Sequence, residues 1–197
     1  MSQNLGNKEQ STKYQVLSTE QTPKNKVFLD GVIENMPIVR LANASDAEAL
    51  ASIMLLAFAE YRQQYTTDGF AATAITSEEV LSRMRQGPVF VAVIDDEIVG
   101  TASVVKKDDY LYVRGMAVLP ERRGNRIGEL LLTQIEEYAA REGCKRLFLS
   151  TTPFLDRAIR LYEKFGFNRT EEGPHDLFGT PLFTMEKSIH RLHRSKA

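Results

Sequence analysis

The chain has a single cysteine among its 197 residues, no long apolar run and no excess of either charge. One cysteine, Cys144, cannot close an internal disulfide. No second cysteine or close histidine stands at metal-ligand spacing, so a disulfide scaffold and a zinc module are excluded and a reducing compartment fits. The thiol reads as buried and inert. No apolar stretch approaches the ~20 residues needed to span a bilayer. The opening MSQNLGNKEQSTKYQ has no apolar centre of the signal-peptide kind, so the expected location is cytoplasmic, without a membrane partner. Lys and Arg number 25 against 26 Asp and Glu. That balance provides no general field toward nucleic acid, and any anion site has to be local.

The length suits one domain with extensions. Residues 1–36 are rich in Gln, Asn, Ser, Thr and Lys, with VFLDGVI as their only apolar material, and read as a flexible or loosely docked extension. Residues 37–188 carry the periodic segments, and 189–197 form a basic tail. IVRL reads as a strand. NASDAEALASIMLLAFAEYRQQY follows as a helix with Ser45 or Asp46 as its cap, and TSEEVLSRMRQG as another with Thr76 or Ser77 as cap. VFVAVI, EIVGTASVV and YLYVRGMAVL, joined by short polar connections, predict a three-stranded antiparallel meander. A helical stripe (Ile127, Leu130, Leu131, Ile135, Tyr138, Ala139) then leads to RLFLST, and strand–helix–strand implies a parallel crossover. FLDRAIRLYEKFG is a further helix; FNRT and TPLFTMEKS close the sheet. The class is α+β with a mixed sheet and about four helices.

The stretch VLPERRGNRIGELLL, Val118 to Leu132, places three arginines and two glycines where a helix begins, near Asn125. The first amides of a helix lack intrahelical partners and, with the dipole, form a pocket for an anion such as phosphate. Gly124 supplies backbone angles closed to other residues, and Gly128 allows close approach. A tight turn with solvated arginines explains the same residues, and this segment alone does not separate the two. No Gly-Lys-Ser/Thr follows, which disfavours a nucleotide triphosphate site. The Gly-x-Gly-x-x-Gly spacing of dinucleotide folds is absent too.

With its surroundings, Arg123-Gly124-Asn125-Arg126-Ile127-Gly128 resembles the acyl-CoA binding motif of the GCN5-related N-acetyltransferase (GNAT) superfamily, an Arg or Gln, two residues, Gly, one residue, then Gly or Ala. Arg126 stands where the middle Gly is usual. AIRLYEKFGF, Ala158 to Phe167, resembles the Ala-x-x-Leu-Tyr-x-x-x-Gly-Phe segment of the same superfamily. Leu155 stands where many relatives carry a cofactor-contacting Asn, so no role is carried to it. The resemblance covers about Ile38 to Ser188. It implies a mixed, mostly antiparallel central sheet of roughly six to seven strands flanked by about four helices.

The resemblance also implies acetyl transfer from acetyl-CoA to a primary amine without a covalent enzyme intermediate. The backbone of Met116, Ala117 and Val118 would hold the pantetheine arm in a slot made where that strand splays from the next. The diphosphate would sit on Arg123, Gly124, Asn125, Arg126, Ile127 and Gly128. Tyr162 is the matched general acid, since a phenol with a reference pKa of about 10 is protonated at neutral pH. No Asp or Glu lies between Tyr110 and Val118 to act as base. His175, Tyr110, Tyr112 and Arg114 are weaker candidates for substrate contact. The acceptor is expected to be a small molecule, selected by residues from Ala47 to Arg85 and the loop near His175. A protein N-terminus or lysine is the other acceptor class, and a non-catalytic acyl-CoA sensor the other kind of protein. No metal is expected, and a homodimer is neither specified nor excluded.

Overall fold

The computed structural model describes residues 26–29 and 32–189, which belong to two compact units meeting between Met36 and Pro37. In the first, β1 (Lys26–Leu29) and β2 (Val32–Asn35) pair antiparallel, with Lys26 opposite Asn35 and Leu29 opposite Val32. Part of the polar extension is therefore a strand pair. Residues 1–25 of that extension, and the basic tail after Ile189, lie outside the described residues.

The second unit runs β3 (Ile38–Leu41), α1 (Ala47–Ala59), α2 (Thr67–Thr73), α3 (Ser77–Gln86), β4 (Val89–Ile94), β5 (Glu97–Lys107), β6 (Tyr110–Val118), α4 (Ile127–Arg141), β7 (Arg146–Thr151), α5 (Asp156–Lys164), β8 (Asn168–Thr170), β9 (Asp176–Leu177), β10 (Thr180–Pro181) and β11 (Phe183–Ser188). Seven strands make one sheet in the order β3-β4-β5-β6-β7-β11-β8, and β9 with β10 forms a separate hairpin. The meander β4-β5-β6 is antiparallel, and α4 carries the chain across to β7, which pairs parallel to β6. This is the mixed, mostly antiparallel sheet expected. The described residues of this unit form five α-helices; the unexpected one, α2, is seven residues long, too short to show a helical period.

Local signals account for the boundaries. Thr76 caps α3 by accepting from the Glu79 amide at 3.3 Å, while Glu79 accepts from the Thr76 amide at 2.8 Å, a reciprocal capping box. Asp46 holds the N-cap position of α1, as one of the two expected residues, but its side chain makes no capping bond to α1; the capping box lies one short turn upstream, at Asn43. Its Oδ1 accepts from the Ser45 amide at 2.9 Å, and its own amide donates to Asp46 at 2.8 Å. A short 3-10 turn over Ala44–Asp46 precedes the helix and moves the cap upstream. The core joins Leu50, Ile53 and Met54 of α1, Ile127, Leu131 and Ile135 of α4, and strand residues such as Val91, Leu111 and Leu149. Each such buried side chain contributes about 1.5–3 kcal/mol of burial free energy.

Two irregularities shape the middle of the sheet. Between β5 and β6 the register shifts, so that Ser103 faces Arg114 and Thr101 faces Ala117, leaving Gly115 and Met116 against one residue. Gly115 sits at φ +70°, as a glycine does in this kind of bulge. Beyond it, β6 and β7 stay paired only from Tyr110↔Arg146 to Val113↔Leu149. Past that point the two strands part, and a cleft opens between them.

Candidate active site

After β6, Pro120–Arg122 forms a 3-10 turn and the chain runs through Arg123 to Asn125 before α4 starts at Ile127, two residues later than expected. Gly124 has φ +88° with open space around a would-be Cβ, so its requirement is conformational. Gly128 is the opposite case. A Cβ there would lie 2.6 Å from Leu161 Cδ2 and 3.2 Å from Met116 Cε, so its requirement is room against α5 and β6. Arg126, at φ 58° and ψ 14°, occupies the left-handed region as the N-cap of α4. Among the described residues, the amides of residues 124–129 donate to no other group. They form a run of free donors at a helix start, an arrangement with the geometry of an anion site.

The arginine side chains point elsewhere. Arg122 Nη2 pairs with Glu97 at 2.7 Å. Arg123 bonds Glu60 through Nη1 and donates from Nη2 to the Ala57 carbonyl at 2.8 Å, closing the C-terminal end of α1. Its amide is held by the Pro120 carbonyl at 3.3 Å. Arg126 is 84 % exposed and pairs with Glu129 at 2.9 Å. Glu129 also receives Lys164 at 2.6 Å. The Lys164 hydrogen bond, with that of Arg126, holds the Glu129 carboxyl below the usual glutamate range.

The cleft measures about 620 Å³ and is lined by Tyr162, Met116, Ala117, Val118, Arg123, Gly124, Arg126, Ile127 and Gly128; Asn125 does not line it. The strand backbone at 116–118, the free amides and the Tyr162 phenol are thereby brought to one space. Tyr162 on α5 is 8 % exposed and packs its ring on Phe167, centroids 5.8 Å apart. Burial first, then the neighbouring Tyr65 phenol, pushes its pKa up to about 12. The group is neutral across the physiological range. Glu129 is the one carboxylate among the lining residues, and its partners hold it at the end of the cleft formed by α4.

The other end is aromatic and basic. Tyr65 meets Phe154, Phe70 and Phe58 edge-on, at centroid distances of 4.8, 6.0 and 6.5 Å. Burial raises the Tyr65 phenol, against the pull of the Thr152 and Thr73 hydroxyls near it. Tyr112 and Arg114 line the cleft, whereas Tyr110 lies under the Arg146 guanidinium, 5.0 Å from its ring centroid, away from it. His175 is exposed and does not line the cleft. Arg83, Tyr65 and Thr152 line it, and sequence reasoning had singled out none of them. No local motif marks them, because they come from separate places in the chain: Tyr65 between α1 and α2, Arg83 on α3 and Thr152 just after β7.

Comparison with known proteins gives one consistent family. The sequence profile of the Acetyltransferase (GNAT) family matches residues 50–167. An uncharacterized N-acetyltransferase of Escherichia coli K12, YjgM, is 27% identical over 150 residues, covering 73% of this chain and 89% of the relative. Among solved structures, the PaiA N-acetyltransferase of Thermoplasma acidophilum in complex with coenzyme A superposes with a TM-score of 0.67 at 18% identity, covering 77% of this chain and 98% of that one. The Salmonella typhimurium YncA structure with acetyl-CoA gives 0.60 at 20% identity, covering 83% and 99%.

Proposed function

The chain belongs to the GNAT acetyltransferase family, and from that premise we propose that it transfers an acetyl group directly from acetyl-CoA to a primary amine of a small molecule. One observation carries the reading: a run of free amides at the start of α4 and the neutral phenol of Tyr162, for which the described residues supply no hydrogen bond, open onto the same cleft. Likeness to chains with bound coenzyme A or acetyl-CoA supports the choice of donor. The cytoplasm is the proposed location.

In this reading the diphosphate is held by the amides following Arg123, from Gly124 to Gly128, at the positive end of α4. The pantetheine arm lies along the backbone of Met116, Ala117 and Val118, which the bulge at Gly115 turns toward the cleft. The amine nitrogen attacks the thioester carbonyl carbon, a C–N bond forms, the C–S bond breaks, and the surplus amine proton leaves to solvent. Tyr162 donates its phenolic proton to the departing sulfur and recovers one from water. A phenol raised to about 12 is a weak acid toward a thiol with a reference value near 8.5. The same apolar surroundings raise the thiol as well, and that narrows the gap.

The test is thiol release from acetyl-CoA over a panel of small amines, with binding of CoA followed by its effect on Tm. Release that depends on an amine, with the N-acetylated product identified by mass, is the expected result. CoA binding without turnover on any small amine, peptide N-terminus or lysine would leave an acyl-CoA sensor as the better reading.

A further inference from the structure

The far end of the cleft holds two arginines that form no salt bridge among the described residues, although the charge of Glu79, one turn back on α3, acts on Arg83. Arg83 on α3 and Arg114 on β6 both line it and both are half-buried. Among the described residues neither forms a salt bridge, whereas Arg122, Arg123 and Arg126 each have a carboxylate partner; Arg157 of α5, which also lines the cleft without a carboxylate partner, is exposed to water. The partners they do have are neutral. Arg114 donates through Nη1 and Nη2 to the single oxygen Gln86 Oε1, at 3.1 Å each. Arg83 donates from Nη2 to the Ala72 carbonyl at 3.4 Å, and its guanidinium lies over Gly115, where any Cβ would collide with it. Arg114 Nε is buried with no acceptor at all. Burial and the Arg114 charge pull Arg83 down to about 10, and burial lowers Arg114 as well. Two like charges removed from water without an anion are costly.

Thr152, beyond the end of β7, adds an independent mark. It is 2 % exposed, lines the same cleft, and has the Tyr65 phenol as its polar neighbour, with no acceptor or donor in full hydrogen-bond geometry among the described residues. Buried hydroxyls are nearly always bonded, so Thr152 and Tyr65 together make this end of the cleft polar.

Resting on the acetyl-transfer reading above, we propose that the acceptor amine also carries a carboxylate, which Arg83 and Arg114 bind, so that the substrate class is the amino acids. Arg114 precedes Met116 by two residues, on the order of 7 Å along a strand. That span separates the acyl group from an anion held at the arginines, and an amine and a carboxylate in one small molecule bridge it. The Nη donors left on the two guanidiniums suit a planar two-oxygen group, which arginine meets in fork fashion. The diphosphate is held elsewhere, at the start of α4.

The experiment compares kcat/KM for free amino acids with their primary amides, their decarboxylated amines and O-phosphoethanolamine, in the parent protein, Arg114→Gln and Arg83→Lys. The parent is expected to favour the free acids by ~100-fold or more, through KM, the size of effect that removing one partner of a buried charge pair produces. Arg114→Gln should cut that preference to below about tenfold while CoA still raises Tm as in the parent. Arg83→Lys keeps the charge but loses the fork, and should fall between the two. Equal turnover of acids and amides by the parent, a preference unchanged in both variants, or a preference for the phosphate would overturn the assignment while leaving acetyl transfer in place. Absence of turnover on every amine, with CoA bound, would instead overturn the transfer reading and this inference with it.

Discussion

Arg123 Nη2 donates to the carbonyl of Ala57 at 2.8 Å, tying the loop before α4 to the last turn of α1 across 66 residues of chain. A terminal helix carbonyl has no intrahelical donor, and a guanidinium satisfies it. Replacing Arg123 by Ala should therefore act on stability first, with a loss of about 1.5–3 kcal/mol by urea denaturation. The acceptor KM should rise as well, since Ala57 and Phe58 of α1 line the cleft. Unchanged stability with a collapse of CoA affinity would show that the guanidinium leaves Ala57 for the cofactor.

Tyr162→Phe keeps the ring packed on Phe167 and removes only the hydroxyl, which no group among the described residues bonds. The expected result is a kcat lower by roughly 100-fold or more, the usual contribution of a positioned acid. CoA should still raise Tm to the parent's extent. A variant that turns over like the parent would mean that water protonates the thiolate and that Tyr162 is core packing.

Among the described residues that line the cleft, Glu129 at the α4 end is the one carboxylate, so none stands at the acceptor end. If none of them serves as base, the rate depends on the fraction of acceptor amine that is neutral, and kcat/KM rises with pH. Its midpoint should move with the amine's own pKa when the acceptor is changed. Tyr162 loses its proton only at about 12, so no descending limb is expected below roughly pH 10. A midpoint that stays fixed across acceptors of different pKa would reveal a titrating enzyme base.

Arg126 is the departure from the family pattern, and its backbone explains the pattern. At φ 58° it adopts the angles that glycine takes freely. A left-handed non-glycine residue costs about 1–2 kcal/mol, offset in part by the greater chain entropy that glycine loses on folding. Arg126→Gly should leave stability unchanged or raise it by up to about 1 kcal/mol, without weakening CoA, because the free amides remain. Gly124→Ala should do the reverse and destabilise, as its φ of +88° is strained for any side chain although space is open there. Equal effects of the two changes, measured by Tm, would refute the conformational account.

What was legible in the chain was periodic or local. The change from alternating to helical spacing after Val118 located the meander and the crossover, and Thr76 with Glu79 marked α3. RRGNRIG and LYEKFGF together indicated the two segments that the cleft brings to one space. What was hidden depends on distant contacts. The Asn43 cap was missed because a 3-10 turn of three residues has no periodicity to read. Arg83 and Thr152 were missed because 69 positions separate them and nothing near either in sequence names the other. The tie of the Arg123 side chain to Ala57 O was hidden because that partner is a backbone atom on another helix.

Asp46 sits at the entrance of α1 and gives the unit its clearest acid-sensitive contact. Arg40 Nη1 and Nη2 reach its two carboxylate oxygens at 2.7 and 3.0 Å, and the Asn43 amide donates at 2.8 Å. The Arg40 hydrogen bonds outweigh burial and, with the Asn43 amide, hold the Asp46 carboxyl below the usual aspartate range. A lowered pKa in the folded state means that the unfolded chain takes up the proton first as pH falls. The contact's contribution is thus fully present above the unfolded value near 4 and drains away as pH drops through the lower folded one. Asp46→Asn should cost about 1–3 kcal/mol at pH 7. Since the parent loses the same contact in acid, the gap between the two urea midpoints should narrow from pH 5 to pH 2. A gap that stays constant over that range would place the stabilisation in packing instead of charge.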